Sequence, residues 1–307
     1  MNWAGLQAAL TAVLLAVAGC SEDSEDPEDL DLCGGDAETI DDETSPAYVA
    51  TDGMFAYWTT TVGGVRRAPL AGGEVTDIAV RDGSGYAIAV AGEFVYFTDF
   101  SGGAVLRVPT AGGEVRTIAT EDIGPYAIVA DGARAYWINR ELGTLRAADH
   151  ASGAVTTLAT DLEHPLDVAL AGDALLIAEV RGVVRVPVAG GATSVLSDRG
   201  MPAYAIAVDS ASVYWLEEFA GLFRAPLAGG PSTQVAAVQS QFGHMATDGA
   251  HVWFTDTTNG TLLRAPAAGG SPDTLCTGLD NPIGVAIGGG RVFVTDSELD
   301  LVVARPQ

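Results

Sequence analysis

The chain contains no lysine: all 15 of its basic residues are arginine, set against 40 acids, for a formal net charge of −25 over 307 residues. A surface with that balance repels a phosphate backbone, so nucleic acid is excluded as a partner, while a cation or a basic partner is not. Histidine is scarce. The four, His150, His164, His244 and His251, fall in different parts of the chain with no ligand spacing such as His-x-x-x-His, which removes the usual sequence signature of a metal centre. No helical 3.6-residue period runs through the sequence, and no apolar run is long enough to cross a bilayer. What is present is 48% hydrophobic residues and five tryptophans, enough for a substantial core.

The first 20 residues, MNWAGLQAALTAVLLAVAGC, carry a short apolar run at 10–18 and end in small residues, as a secretory signal does. Their ending, Val17-Ala18-Gly19-Cys20, resembles the lipobox of bacterial lipoproteins. That resemblance implies that Cys20 is acylated, becomes the first mature residue and anchors the chain to a membrane. Residues 21–46 then hold 12 acids and no base, the composition of a solvated, self-repelling spacer. The expected organisation is a signal peptide at 1–20, an acidic tether at 21–32 and a folded domain at 33–307. The expected location is the cell envelope, on the periplasmic or cell-surface side. Ser21 after Cys20 implies, by the same resemblance, the outer membrane.

Self-similarity dominates the remainder. Aligned on an Asp-Gly-like pair, the chain repeats at Gly53, Gly92, Gly132, Gly172, Ser210, Gly249 and Gly289, every 38 to 40 residues. Each unit reads as four short strands: an AIAV-like run, an aromatic phrase such as AYWTT or VYFTD, a stretch into Arg-x-Pro, and a run such as VRTIAT after Gly-Gly. Four strands per unit of this length is the spacing of a β-propeller blade, and seven units predict an all-β, seven-bladed propeller. The seventh unit ends after three strands. Residues 33–49 can be laid over 111–128, so residues 36–42 are expected to supply the missing outer strand and close the ring, leaving no open sheet edge. A ring closed in this way is expected to be a monomer.

The phrase RAPLAGG occurs at 67–73 and again at 224–230, with near copies elsewhere. Gly-Gly supplies positive φ for a hairpin, and proline suits a strand end where no amide donor is needed. The arginines at its head, Arg67, Arg107, Arg146, Arg185, Arg224 and Arg264, recur with the repeat and are expected to brace each blade against its neighbour. The aromatic pairs, such as Tyr57-Trp58 and Tyr136-Trp137, are expected to fill the layers between blades.

These aromatic phrases, followed by Gly-x-x-x-Arg, resemble the YWTD, NHL and TolB-like group of β-propellers. The group includes receptor modules, binding scaffolds, lactonases and lyases, so the resemblance implies the fold more than an activity. Gluconolactonase-like and streptogramin-lyase-like members use a divalent metal held near the channel. The Gly-His/Trp-Asp frame of WD40 repeats and the tryptophan-docking signature of quinoprotein propellers are both absent.

Two loop sets define two faces. Turns between first and second strands, and between third and fourth, are alike in every unit. Loops between second and third strands, and between fourth and first, differ from unit to unit, as a recognition surface requires. Second strands on that face end in Asp99, Asn139, Glu179, Glu217, Asp256 and Asp296. Such a ring could hold Ca²⁺ or meet a basic partner; alternatively each side chain caps its own hairpin or pairs with an arginine. Cys33 and Cys276 are also open to two readings. An oxidising compartment permits a disulfide, yet Cys276 stands where other units have Ala119, Ala159 or Ser197, small side chains suited to burial. The function expected is an anchored binding or scaffold module for a protein or glycan, with no cofactor, and the alternative is a metal-dependent lactonase or lyase.

Overall fold

A computed structural model of the protein describes residues 33–42, 45–120 and 122–307. Cys20 and the acidic stretch at 21–32 lie outside the described residues. The described residues form 28 strands and no helix. The strands make seven antiparallel sheets of four. Blades 1 to 6 occupy residues 46–79, 85–119, 125–159, 167–198, 203–236 and 242–276, and blade 7 joins residues 282–306 to the N-terminal strand Glu38–Asp41. First strands of successive blades are neighbours, and that of blade 7 lies beside that of blade 1, so the ring is closed.

Closure uses the predicted segment. Glu38 faces Ala304 and Thr39 faces Val303, which pairs the edge that the C-terminal strand would otherwise expose. Cys33 is bonded to Cys276, and this disulfide ties the closing segment to the outer strand of blade 6. Arg305 reinforces the same joint by donating to the carbonyl oxygens of both Cys33 and Leu275. Register along a single blade could not reveal the pairing, because the two cysteines meet across the gap between blades 6 and 7.

The core sits between blades. Seven buried apolar clusters are present among the described residues, and each draws its side chains from two adjacent blades. Strand alternation explains this, since successive side chains point to opposite faces of a sheet. Tyr57 packs with Ile88, Phe97 and Leu106 of blade 2, while its neighbour Trp58 packs with Phe293 and Val302 of blade 7. Trp58, Trp137, Trp215 and Trp253 are at most 1% exposed.

The ladder corrects the arginine series at one place. Arg67, Arg107, Arg185, Arg224 and Arg264 all face the first residue of the aromatic pair, or its equivalent, on the second strand. Arg146 instead faces Trp137, the slot that Arg66 fills opposite Trp58, and Ala147 faces Tyr136. Near-equal spacing concealed a shift of one residue, which turns the side chain to the other face of the sheet. The bracing expected of the series is seen where Arg67 donates to Thr110 O at 2.6 Å and Arg224 to Ala267 O at 2.8 Å, each in the following blade.

The repeated aspartate has its own purpose. Asp52, Asp131 and Asp209 each accept two amides of their turn through Oδ1, and through Oδ2 the hydroxyls of Tyr57, Tyr136 and Tyr214 at 2.7, 3.0 and 2.8 Å. Burial works to raise these three carboxyls, but the donors outweigh it and hold all three below the usual carboxylate range. A lowered folded value contributes stability that is complete above the unfolded aspartate pKa of about 4 and is lost as pH falls through the folded values. Melting temperature is therefore expected to fall steeply below about pH 4, and the triple variant Asp52→Asn, Asp131→Asn, Asp209→Asn is expected to lose part of that acid sensitivity when the two pH series are compared by calorimetry.

Candidate binding site

Asp99, Asn139, Glu179, Glu217, Asp256 and Asp296 end their second strands as expected, but all six are at most 8% exposed. Each is engaged locally. Asp99 receives Arg81 at 2.8 Å, and Glu217 receives Arg199 at 2.8 Å and Trp215 Nε1 at 2.9 Å, both arginines coming from the preceding blade. Blades 1 and 3 reverse the arrangement. Their second strands end in neutral Thr60 and Asn139, and the preceding blade supplies the anion: Asp41 accepts from Arg66 and from Trp58 Nε1 at 3.1 Å, and Asp122 from Arg146 and from Trp137 Nε1 at 3.0 Å. Asn139 also donates to Asp122 at 3.0 Å. The remaining junctions are satisfied without an arginine. Asp256 accepts from Ser240, Glu179 from the Glu163 amide, and Asp296 from the amides of Asp280 and Asn281. These side chains fix the loops that carry the variable face, and no three His, Cys, Asp or Glu side chains among the described residues gather around one point.

A different set converges on the axis. Where the first strands begin, on the variable-loop side, a cavity of about 220 Å³ is lined by Tyr48, Tyr86, Tyr126, Asp167, Tyr204 and His244, with Phe242, Asn281 and Ile283 completing its wall. Two adjacent strand positions supply these six. Tyr48, Asp167 and His244 immediately precede the residue that faces the second strand's aromatic or its equivalent, and Tyr86, Tyr126 and Tyr204 stand one residue earlier. The staggered column is visible in the sequence once the first strands are aligned on their apolar residues. His244, one of four histidines scattered by sequence position, is brought to the axis beside Asp167 and the four tyrosines, which carry no sequence motif of their own.

The rings form a continuous group: Tyr48 and Tyr86 centroids are 4.9 Å apart, Tyr86 and Tyr126 5.0 Å, and Tyr48 meets His244 edge-on at 5.3 Å. Asp167 accepts the Val168 amide at 2.8 Å and the Ile206 amide at 2.9 Å, joining blades 4 and 5. His244 Nε2 stands 4.0 Å from Asp167 Oδ2, while Nδ1 lies 3.3 Å from Val285 O, where only a protonated nitrogen can donate. Burial pushes the Asp167 carboxyl up, and His244 opposes that push. Burial likewise raises the hydroxyls of Tyr48 and Tyr86, and, together with the bond to Glu218, pushes Tyr204 up to about 12. All three phenols are neutral near pH 7.

Large apolar side chains are exposed on the surrounding face. Nine large hydrophobic side chains are exposed among the described residues, and seven of them, Val62, Val80, Phe100, Ile123, Leu142, Met201 and Phe219, stand on the variable loops. Phe100 extends the axial aromatic group outward, 5.8 Å from Tyr86 and 6.1 Å from Tyr126. Phe219 is 59% exposed and holds a φ of 56°, a left-handed conformation uncommon for a bulky residue.

Solved structures of the same architecture span unrelated activities. A catalytically inactive histidine-to-alanine variant of virginiamycin B lyase from Staphylococcus aureus, with quinupristin, superposes with a TM-score of 0.75 at 14% identity, covering 88% of this chain and 99% of that one. The WD40 propeller domain of Doa1 gives 0.74 at 12% identity, with coverages of 88% and 97%. YCF48 bound to a D1 peptide gives 0.71 at 10% identity, with coverages of 89% and 97%. At these identities the likeness is one of fold. No family model matches the chain, and no curated protein does.

The junction chemistry can be measured. Asp122→Ala leaves Arg146 and Trp137 Nε1 without their acceptor and is expected to cost about 3 kcal/mol in urea unfolding. Removing the side chain of Glu163, whose pair with Arg181 is exposed on both sides, is expected to cost less than about 1 kcal/mol.

Proposed function

We propose that this propeller is a binding module of a bacterial cell envelope, docking a protein through its variable-loop face and held at the membrane by an acylated Cys20. The observation that carries the reading is the gathering of seven of nine exposed large hydrophobic side chains on one face. Apolar side chains scattered singly over a surface need no explanation, whereas their bias to one set of loops supports a recognition role for that face. The opposite face has short, uniform turns, and among the described residues Met54 is its one exposed large apolar side chain. A protein suits this face better than a glycan, because the exposed set is mostly aliphatic and lacks the exposed Trp or Tyr platforms on which sugars stack. The buried junctions favour the same division of labour, since they hold divergent loops at fixed positions. The acidic stretch after Cys20 would keep the domain clear of the bilayer.

A second reading, an eliminating enzyme, draws on one observation: Asp167 and His244 meet in an axial cavity of a fold shared with virginiamycin B lyase. Quinupristin incubated with the chain separates the two readings. It is expected to remain intact, and consumption that stopped in His244→Ala would favour the enzyme.

Docking is tested by capture from envelope extract with residues 21–307 and with face variants. Ile123→Asp and Phe219→Asp are expected to weaken retention of the same partner at least about tenfold, whereas Met54→Asp on the opposite face leaves it unchanged. Loss with Met54→Asp and retention with the other two would contradict the reading. For the anchor, Cys20→Ala is expected to move the protein out of the membrane fraction.

A further inference from the structure

We propose that the axial cavity is a binding site for an organic ammonium group, the charged head of a small amine. This goes beyond docking by the loops and does not depend on it, since the residues involved lie inside the ring.

The proposal begins with Asp167. Among the described residues its two oxygens accept one backbone amide each, which leaves half of the roughly four acceptor directions of a carboxylate unused there. Among the described residues the only basic side chain lining the cavity is that of His244, whose Nε2 is 4.0 Å from Asp167 Oδ2, too far for a hydrogen bond. A buried carboxylate is best balanced by a cation, either an N–H donor that fills the unused directions or a quaternary ammonium that acts by charge alone. Around it stand the rings of Tyr48, Tyr86, Tyr126 and Tyr204. Aromatic faces carry negative charge density and attract ammonium and guanidinium groups, most strongly where water is excluded. The ring column already does so at its outer end, where the Arg140 guanidinium lies 5.1 Å over Tyr126.

Other ligand classes fit less well. An anion would meet Asp167 on the axis and Glu218 beside Tyr204. A neutral apolar molecule would displace water from Asp167 and return nothing to it. A metal ion would find one carboxylate and no gathered ligand set. A cavity of about 220 Å³ admits an amine head with a few carbons, not a folded element.

The chemistry could be supplied by a free quaternary amine or by a lysine side chain. Isothermal titration of the full chain in detergent separates them using choline, its neutral isostere 3,3-dimethylbutan-1-ol, and N-acetyl-lysinamide. Either amine is expected to bind at least about tenfold more tightly than the isostere. The tighter of the two identifies the source. Asp167→Asn, which keeps an oxygen for an interblade amide, and Tyr86→Leu are each expected to weaken the better amine at least about fivefold, while Met54→Asp on the opposite face leaves it unchanged. Should Asp167→Asn melt early, Tyr126→Leu decides in its place. Equal binding of amine and isostere, no amine binding at roughly 10 mM, or unchanged affinity in the deciding variant overturns the proposal. Partner capture by the loop face would be unaffected by any of these failures.

Discussion

Everything in this molecule depends on the contact between one blade and the next. A four-stranded sheet of this length cannot bury both of its faces by itself, and here neither face is left alone. Tyr57 and Trp58 are adjacent in sequence but belong to different cores, one shared with blade 2 and the other with blade 7. The same holds around the ring, so the repeating unit of stability is a junction, and the number of junctions equals the number of blades only because the ring is closed. Closure at residues 38–41, with the Cys33–Cys276 bond and Arg305 beside it, completes the seventh blade and secures its junction with blade 6.

That constraint explains which parts of the fold were legible in the sequence. Features confined to one blade repeat and can be aligned: the aromatic pair, the Gly-Gly hairpin, the Asp-Gly turn and the missing outer strand at the C-terminus. Features that cross a junction do not repeat in the same form. Asp122 and Arg146 do for blade 3 what Glu217 and Arg199 do for blade 5, with the charges exchanged between partners. No alignment of units shows them as equivalent, since the acid moves from one blade's strand to the loop of another. Arg146 was displaced by one residue for the same reason: its neighbour on the sheet face, and not its spacing, decides its slot.

The candidate site was harder to read. Six acids or amides at equivalent strand ends left two readings open, a ring of ligands or local caps and arginine partners, and all six are buried and engaged locally. The axial residues were obscured because Tyr48, Asp167 and His244 sit one position away from Tyr86, Tyr126 and Tyr204 in the strand register. Lining the same cavity from different blades, they come together only in the closed ring. The repeated residues build the blades, and the residues that line the axial cavity differ from blade to blade.

Hydrogen exchange of the native ring tests the junction account most directly. If the cores lie between blades, no blade can open without exposing both neighbours, and the second-strand amides of all seven should exchange together, at the free energy of global unfolding. Second strands of one or two blades exchanging at markedly lower free energy, while the others remain protected, would contradict it.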